Sequence, residues 1–415
     1  MYDIQKGYEL AKEIYAAYGV DVDKAIELCD QTPLSIHCWQ GDDVAGFEKK
    51  EGGLSGGIQV TGNYPGRAQT PEQLRSDMSF AFRFIPGEKK VNLHANYVES
   101  EEVVDRNAIE PKHFSKWADW AVENGFGLDF NPTFFSHPLS EDATLSSADE
   151  TVRAFWIEHD KRCRRIGSYF AERTGKPCVI NHWIPDGSKE IPVDTLAPRL
   201  RLKDSYDQIF AEPAPGVVDG VESKVFGIGV ESYTVGSHEF YLGYAMQNEN
   251  VILTMDTGHY HPTEVVSAKL SAVLTFKDKV LLHISRPVRW DSDHVVAYDD
   301  ETRAIMNEVV RMNALDRVYL ALDYFDASIN RLVAWVVGAR NARKALLEAL
   351  LQPVDTMKTL EKNGDKSARL AFVEECKANP FALVWDYYCH TKGVGVGLEW
   401  LEEVKCYEDE VLSKR

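Results

Sequence analysis

The segment VILTMD at residues 251–256 is a short apolar run, rich in β-branched residues, that ends on a carboxylate. Similar runs occur before and after it, and each is followed by a polar turn and then by a longer segment with helical spacing of apolar residues. Eight runs of this kind are predicted to be strands: 34–38, 91–95, 127–131, 178–182, 217–222, 251–256, 280–285 and 318–323. Eight strands alternating with helices predict an α/β fold, either a closed parallel (β/α)8 TIM barrel or a doubly wound open sheet.

The residues at the ends of these runs favour the barrel. Nearly every run ends on a side chain capable of chemistry: His37, His94, Asn131, His182, Glu222, Asp256, His283 and Asp323. In a TIM barrel the carboxyl ends of all eight strands meet at one mouth, where active sites lie. An open sheet would spread the same groups along a line, so they would not meet at one site.

The remaining segments predict what surrounds the barrel. Residues 4–29 have apolar positions at roughly helical spacing and predict one N-terminal helix. After about residue 340 the strand pattern stops, so we expect a catalytic barrel domain over 1–340 and an all-helical C-terminal extension over 341–415 that makes subunit contacts. The long Gly-rich stretch 51–73 predicts either a flexible surface loop or a mobile lid over the mouth.

The amino-acid composition limits the classes of molecule that are expected to bind this protein. Across 415 residues, 65 acidic against 46 basic residues give a net charge of −19, which argues against nucleic acid and anionic membrane surfaces as partners. The longest apolar runs are too short to span a bilayer, and the N-terminus shows no signal-peptide pattern. The seven scattered cysteines contain no CxxC pair, which predicts reduced thiols in a cytoplasmic protein.

Residues 222–326 contain a set of carboxylates and histidines that could bind metal ions. The ends of the fifth to eighth runs carry Glu222, Asp256, His283 and Asp323, and neighbouring strands lie about 4.8 Å apart. A second group follows closely in sequence: His259, three residues past Asp256, and the pair Asp291 and Asp293, whose alternate spacing places both on one side of an extended segment. Seven ligands of this kind without a cysteine predict two divalent ions, Mn²⁺, Mg²⁺ or Co²⁺, rather than structural zinc.

Simpler explanations exist for each residue taken alone. An Asp after a strand is often the N-cap of the next helix; Asp326 fits that role, although it could also replace Asp323 as a ligand. Asp291 and Asp293 could pair with Arg286 and Arg289. The metal interpretation is favoured because like-charged carboxylates in one mouth repel each other, and a divalent cation relieves that repulsion.

Further residues could contact a substrate. Lys224 follows Glu222 by two positions, so it points to the same side and could polarise a substrate oxygen. His94, at the end of the second run, would lie on the opposite wall and contact the far end of the substrate. Aromatic residues that follow the first, third and fourth runs could cover the apolar face of a sugar: Trp39, Phe134 and Trp183.

Several motifs closely resemble those of the L-rhamnose isomerases. They are VESK at 221–224, MDTGHYHPTE at 255–264, HISRPVRWDSDHVV at 283–296 and LDYFDASINR at 322–331. The resemblance runs over essentially the whole chain, beginning with LSIHCWQGDD at 34–43. The related xylose isomerases share the Glu-x-Lys and Asp-x-Asp spacing but not the flanking residues.

This resemblance implies a cytoplasmic homotetramer that converts L-rhamnose to L-rhamnulose with two Mn²⁺ ions per subunit, for which Co²⁺ or Mg²⁺ can substitute. His259, Asp291 and Asp293 would hold the catalytic ion. Glu222, Asp256, His283 and Asp323 would hold the second ion, which binds the substrate. Catalytic roles would fall to Asp291, beside which a metal-bound water or hydroxide would relay a proton between substrate oxygens, to Lys224, and to His94, which would assist ring opening at O5.

Two other functions are compatible with the residues alone. One is a metal-dependent barrel isomerase or epimerase that acts on a different aldose. The other is a catalytically silent sugar-binding protein, which an intact set of seven ligands disfavours because sugar binding alone does not require two metal sites.

Overall fold

The structure is a computed structural model that describes residues 2–48, 60, 62–224, 232–261, 263–286 and 294–415. Eight parallel strands close into a barrel, which confirms the predicted fold class. These strands are β1 (Leu34–His37), β2 (Lys89–His94), β3 (Gly127–Asn131), β4 (Cys178–His182), β6 (Val217–Glu222), β8 (Val251–Asp256), β9 (Val280–Ile284) and β10 (Val318–Leu322). A separate antiparallel pair consists of β5 (Gly187–Ser188) and β7 (Tyr233–Thr234).

The barrel strands follow the order of the chain around the ring, and β10 closes it against β1. Inside the barrel lies a small apolar layer that is separate from the main core. It contains Val179, Ile252, Leu281 and Ala321, with Val218 and Tyr319 packed against it. Because side chains alternate along a strand, the residues two positions further on point to the same interior and lie one layer closer to the mouth.

Helices surround the barrel and alternate with its strands. Those described are α1 (Ile4–Ala17), α2 (Val22–Gln31), α3 (Pro71–Phe82), α4 (Ser115–Glu123), α5 (Glu150–Thr174), α6 (Leu196–Phe210), α7 (His238–Gln247), α8 (Ser267–Leu274), α9 (Asp300–Arg311), α10 (Arg331–Leu350), α11 (Val354–Lys362), α12 (Lys366–Cys376), α13 (Phe381–Lys392) and α14 (Glu399–Glu410). Side-chain caps start several of them; Asp149, for example, accepts hydrogen bonds from the first backbone N–H groups of α5. Among the described residues, no helix is both long and apolar enough to cross a membrane.

The N-terminal segment differs from the single helix predicted over 4–29. It forms α1 and α2, separated by a turn in which Gly19 has φ of +77°. A left-handed backbone at this position ends α1, and the side chain of Asp21 then accepts a hydrogen bond from Lys24 N to begin α2. The apolar spacing alone did not reveal this break.

The C-terminal segment is helical, as predicted, and its last part folds back on the barrel of the same chain. Glu408 on α14 accepts hydrogen bonds from Tyr64 and from Asn330 at the start of α10. Arg415 forms a buried ion pair with Asp77 on α3. The division into 1–340 and 341–415 stays a prediction; residue 340 itself lies within α10.

Much of the predicted lid, 51–59 and 61, lies outside the described residues. The part of 51–73 that is described packs closely: a Cβ on Gly62 would lie 2.5 Å from the Ala327 carbonyl oxygen, and Tyr64 N donates to that same oxygen. Residues 71–73 belong to α3. The loop predicted over 51–73 therefore ends before α3, and its mobility stays a prediction.

His182, at the end of β4, points away from the barrel interior into a charged network. Its Nδ1 lies 2.9 Å from Asp160 on α5, and its Nε2 lies 3.0 Å from Asp219 on β6. Arg164 binds the same Asp219 carboxylate through two nitrogens. Burial alone would lower the pKa of His182, but the two carboxylates raise it to about 9. The histidine is thus cationic at neutral pH and joins the helix layer to the barrel.

We predict that His182→Gln destabilises the protein in a pH-dependent way. A histidine whose pKa is raised on folding contributes its full stabilisation below the unfolded value of about 6.5 and loses it as the pH rises through 9. The difference in unfolding free energy between wild type and variant should therefore shrink by on the order of 3 kcal/mol between pH 6.5 and pH values above 9. Chemical denaturation across this range measures it, with the exposed His390→Gln as control. A difference that stays constant with pH would contradict the prediction.

Candidate metal centre

Four ionisable side chains meet at the carboxyl ends of adjacent strands. Glu222 ends β6, Asp256 ends β8, His283 lies on β9 and Asp323 directly follows β10. One ligand atom from each lies within 4.8 Å of the others. All four positions are inward-facing, two residues beyond the glycine, threonine and apolar positions below them. The structure therefore brings together the four residues that the sequence predicted for one ion.

The imidazole of His283 lies among the three carboxylates of this cluster. Its Nδ1 is 3.1 Å from Glu222 Oε1, 3.3 Å from Asp323 Oδ2 and 3.7 Å from Asp256 Oδ2. Glu222, Asp256 and His283 are almost completely buried, whereas the side chain of Asp323 keeps 20% exposure. The cluster thus opens toward the mouth on the Asp323 side.

The close packing of these four side chains shifts their pKa values. Burial alone would raise the pKa of Glu222 and of Asp323, but the adjacent His283 holds both below their usual range. Burial alone would lower the pKa of His283, and the carboxylates instead raise it well above its usual value. Burial holds the pKa of Asp256 well above its usual range, and Glu222 and Asp323 add to this. The raised pKa values of His283 and Asp256 both reflect the repulsion among carboxylates that are crowded away from water.

A divalent cation fits this set of donors. Three carboxylates and one imidazole are hard and borderline ligands of the kind that Mn²⁺, Mg²⁺ and Co²⁺ accept. The buried Asp256 Oδ2 has no hydrogen-bond partner among the described residues, while Oδ1 of the same carboxylate accepts from Gly258 N. A buried carboxylate oxygen without a donor is unfavourable unless a cation satisfies it.

The second predicted group is described only in part. His259 is buried beside the cluster, with its Nδ1 3.4 Å from Glu222 Oε1. Asp291 and Asp293 lie outside the described residues, as does Arg289, so the alternative in which they pair with arginines is not decided. The position of His259 is compatible with a second ion adjacent to the first.

Trp39 and His94 form the wall beside Asp323. Trp39 Nε1 donates a 3.0 Å hydrogen bond to Asp323 Oδ1, a contact that the sequence did not reveal. The rings of Trp39 and His94 meet edge to face with centroids 4.6 Å apart, and His94 Nδ1 lies 3.1 Å from the Thr133 hydroxyl. Burial lowers the pKa of His94 to about 3, so its imidazole is neutral.

Lys224 and Trp183 lie on the wall beside Glu222. The Lys224 ammonium lies 4.6 Å from the centroid of the Trp183 ring, and the lysine is almost completely buried. A cation over the face of an indole is attracted by the ring quadrupole. Trp183 therefore helps to hold the charge that was predicted to face a substrate oxygen.

The packing of Phe134 differs from the predicted role in covering a sugar. Its ring is fully buried against Trp156 and His159 of α5. The next residue, Phe135, instead contacts His94 and Trp183, with centroid distances of 5.5 and 6.1 Å. After β3 the side chains of Phe134 and Phe135 point in opposite directions. The position of Phe134 relative to the strand end therefore did not show which of the two rings faces His94 and Trp183.

Sequence reasoning also missed two polar residues beneath the cluster. Asn181 on β4 donates a hydrogen bond to Glu222 Oε2, and Thr254 on β8 donates to Asn181 Oδ1. Thr254 lies two residues before Asp256 on β8, and Asn181 lies two residues after the inward-facing Val179 on β4. Because side chains alternate along a strand, this spacing could have identified both as inward-facing.

Comparison with known proteins gives a family match over residues 2–415, to the model described as L-rhamnose isomerase (RhaA). The L-rhamnose isomerase of Mannheimia succiniciproducens is 56% identical over 417 residues, covering 100% of both chains. That of Salmonella typhimurium is 56% identical over 416 residues, covering 99% of both. The solved structure of an L-ribulose 3-epimerase aligns with a TM-score of 0.46 and 13% identity, covering 79% of this chain and 97% of the other.

We predict that Asp256→Asn affects stability in opposite ways with and without a cation. In EDTA the variant should be at least as stable as wild type, because it replaces a buried carboxylate whose Oδ2 has no hydrogen-bond partner among the described residues. With Mn²⁺ at 100 times the wild-type Kd, wild type should gain about 2.7 kcal/mol and the variant clearly less. Thermal unfolding in the two conditions measures both effects.

Asp186 provides the matched control for this comparison. It is also a buried aspartate, but both of its oxygens accept hydrogen bonds from Thr144 and Ser146. Asp186→Asn should lose stability equally in EDTA and in Mn²⁺. If Asp256→Asn behaved in the same way as Asp186→Asn, the cluster would not be a cation site.

Proposed function

Because the chain belongs to the L-rhamnose isomerase family, we propose how its residues perform the metal-assisted interconversion of L-rhamnose and L-rhamnulose. The family match and the full-length relatives at 56% identity establish the aldose–ketose isomerase. They also remove the alternatives of a silent sugar-binding protein and of an enzyme for a different aldose. The observation that carries the metal-assisted proposal is the buried cluster of Glu222, Asp256, His283 and Asp323.

The cluster residues hold one divalent ion, which we take to be Mn²⁺, with Co²⁺ or Mg²⁺ as substitutes. His259, Asp291 and Asp293 hold a second ion, and the 3.4 Å distance from His259 Nδ1 to Glu222 Oε1 supports adjacent sites. When bound, such ions polarise a carbonyl oxygen and stabilise the negative charge that develops on the substrate oxygens.

We assign the proton transfers of the reaction to the side chains around the ions. Isomerisation moves hydrogen between C1 and C2 and a proton between O1 and O2. Lys224 donates a hydrogen bond to a substrate oxygen, and Trp183 keeps its ammonium in place. A water molecule beside Asp291 relays the proton between the two oxygens. His94, whose imidazole is neutral, assists ring opening at O5.

Aromatic rings form the walls of the substrate site. Trp183 and Phe135 lie beside each other at the mouth, and Trp39 lies between His94 and Asp323. We assign to Phe135 the substrate-covering role predicted for Phe134, whose ring packs away from these residues. Apolar faces suit a 6-deoxy sugar, which carries a methyl group where most hexoses carry a hydroxyl.

We also propose a homotetramer in the cytoplasm. Several large apolar residues of the helical extension, among them Leu346, Trp385 and Trp400, are buried within their own chain. Exposed apolar side chains remain at Leu370 and Leu398 in the helical extension, with 62% and 71% exposure, and can supply part of a contact. All seven cysteines are unpaired, which is compatible with a reducing compartment.

We expect the purified enzyme to form L-rhamnulose from L-rhamnose only when a divalent ion is bound. Treatment with EDTA should abolish turnover and added Mn²⁺ should restore it. Asp291→Asn should lower kcat by at least ~100-fold, because it removes a ligand and a charge. Asp299→Asn, which affects only the N-cap of α9, serves as control and should keep near-wild-type turnover. Full activity in chelator-treated protein would refute the metal-assisted mechanism.

Assembly can be measured independently of activity. Multi-angle light scattering should give a mass close to four times the subunit mass of 46.9 kDa. Leu398→Glu places a charge on an exposed apolar position of the extension and should weaken the assembly, whereas Val103→Glu, equally exposed but outside the extension, should not. A mass near that of one subunit would show that the proposed tetramer is wrong.

A further inference from the structure

Glu222 divides its two carboxylate oxygens between different partners. Its Oε1 faces the cluster, 3.1 Å from His283 Nδ1 and 3.4 Å from His259 Nδ1. Its Oε2 points the other way and accepts a hydrogen bond from Asn181 Nδ2. The amide of Asn181 therefore fixes which oxygen of this ligand is presented to a cation.

Thr254 anchors the other end of that amide. Its hydroxyl donates a 2.8 Å hydrogen bond to Asn181 Oδ1. Only the orientation with Oδ1 toward Thr254 and the NH2 group toward Glu222 satisfies both contacts, because a reversed amide would place its oxygen against the carboxylate oxygen. Asn181 and Thr254 are 3% and 1% exposed, so water cannot replace either bond.

The contact between Asn181 and Thr254 crosses a strand. Asn181 lies on β4 and Thr254 on β8, while β6 runs between them and pairs with both. In that register Gly220 is the partner of Asn181, and a Cβ on Gly220 would lie 2.8 Å from Thr254 Oγ1. The backbone of Gly220 is not left-handed, so the position requires glycine for space rather than for conformation.

We propose that Asn181, Thr254 and Gly220 form a positioning unit that sets the affinity of the cluster for its divalent ion. This inference rests on the proposed metal-assisted function and adds to it three residues outside the predicted set of ligands. Gly220 provides the space, Thr254 orients the Asn181 amide, and Asn181 holds Glu222 so that Oε1 faces the cluster. Outer residues that orient metal ligands in this way commonly change metal affinity by about 10- to 100-fold when mutated.

Metal binding to the apoenzyme tests the proposal without reference to turnover. Isothermal titration of EDTA-treated protein with Mn²⁺ should show Kd raised at least ~10-fold by Thr254→Val, which keeps the shape but removes the hydroxyl. Thr254→Ser retains the hydroxyl and should restore an affinity within about 3-fold of wild type. Asn181→Leu should weaken binding at least as much as Thr254→Val, and Gly220→Ala should weaken it by displacing Thr254.

The outcomes separate this inference from the proposed function. Wild-type affinity for Mn²⁺ in folded Thr254→Val and Asn181→Leu would overturn the positioning unit and leave the metal-assisted mechanism intact. Absence of Mn²⁺ binding by wild type would overturn both. A crystal structure of wild type with Mn²⁺ keeps the inference testable even if the variants do not fold: it should show Asn181 Nδ2 donating to Glu222, and an amide turned away from Glu222 would contradict it.

Discussion

Three carboxylates buried around one imidazole form the constraint on which this structure depends. At 4.8 Å or less, their ligand atoms are too close for three negative charges to coexist away from water. The carboxylates raise the pKa of His283, burial raises that of Asp256, and a divalent ion would relieve the same repulsion. The cluster therefore lowers the stability of the metal-free fold and favours binding of a cation. Functional centres commonly reduce the stability of a fold in this way.

The barrel makes this arrangement possible by alternating its side chains. One interior layer is dry and apolar, and the inward positions two residues further along the strands carry Asn181, Gly220 and Thr254 with part of the ligand set. The ligands therefore rest on rigid strands rather than on loops. Outward-facing residues of the same strands contact the surrounding helices instead. His182 follows Asn181 directly, but it joins the barrel to its helices through two aspartates.

The sequence predicted the eight barrel strands and the four cluster residues because both depend on local patterns: apolar runs, and polar residues at their ends. It did not predict the break between α1 and α2, because a single glycine outweighed a continuous apolar spacing. It chose Phe134 over Phe135, since side-chain direction in a loop follows tertiary packing. The Trp39–Asp323 hydrogen bond joins residues 284 positions apart, which only the closed barrel brings together.

The most direct measurement of the central claim is anomalous X-ray diffraction from crystals soaked in Mn²⁺. The account predicts a strong anomalous peak enclosed by Glu222, Asp256, His283 and Asp323, with an oxygen of Asp256 among its ligands. It also predicts that the peak disappears from crystals treated with EDTA. A Mn²⁺-soaked crystal with no anomalous density among these four side chains would contradict the presence of a cation site there.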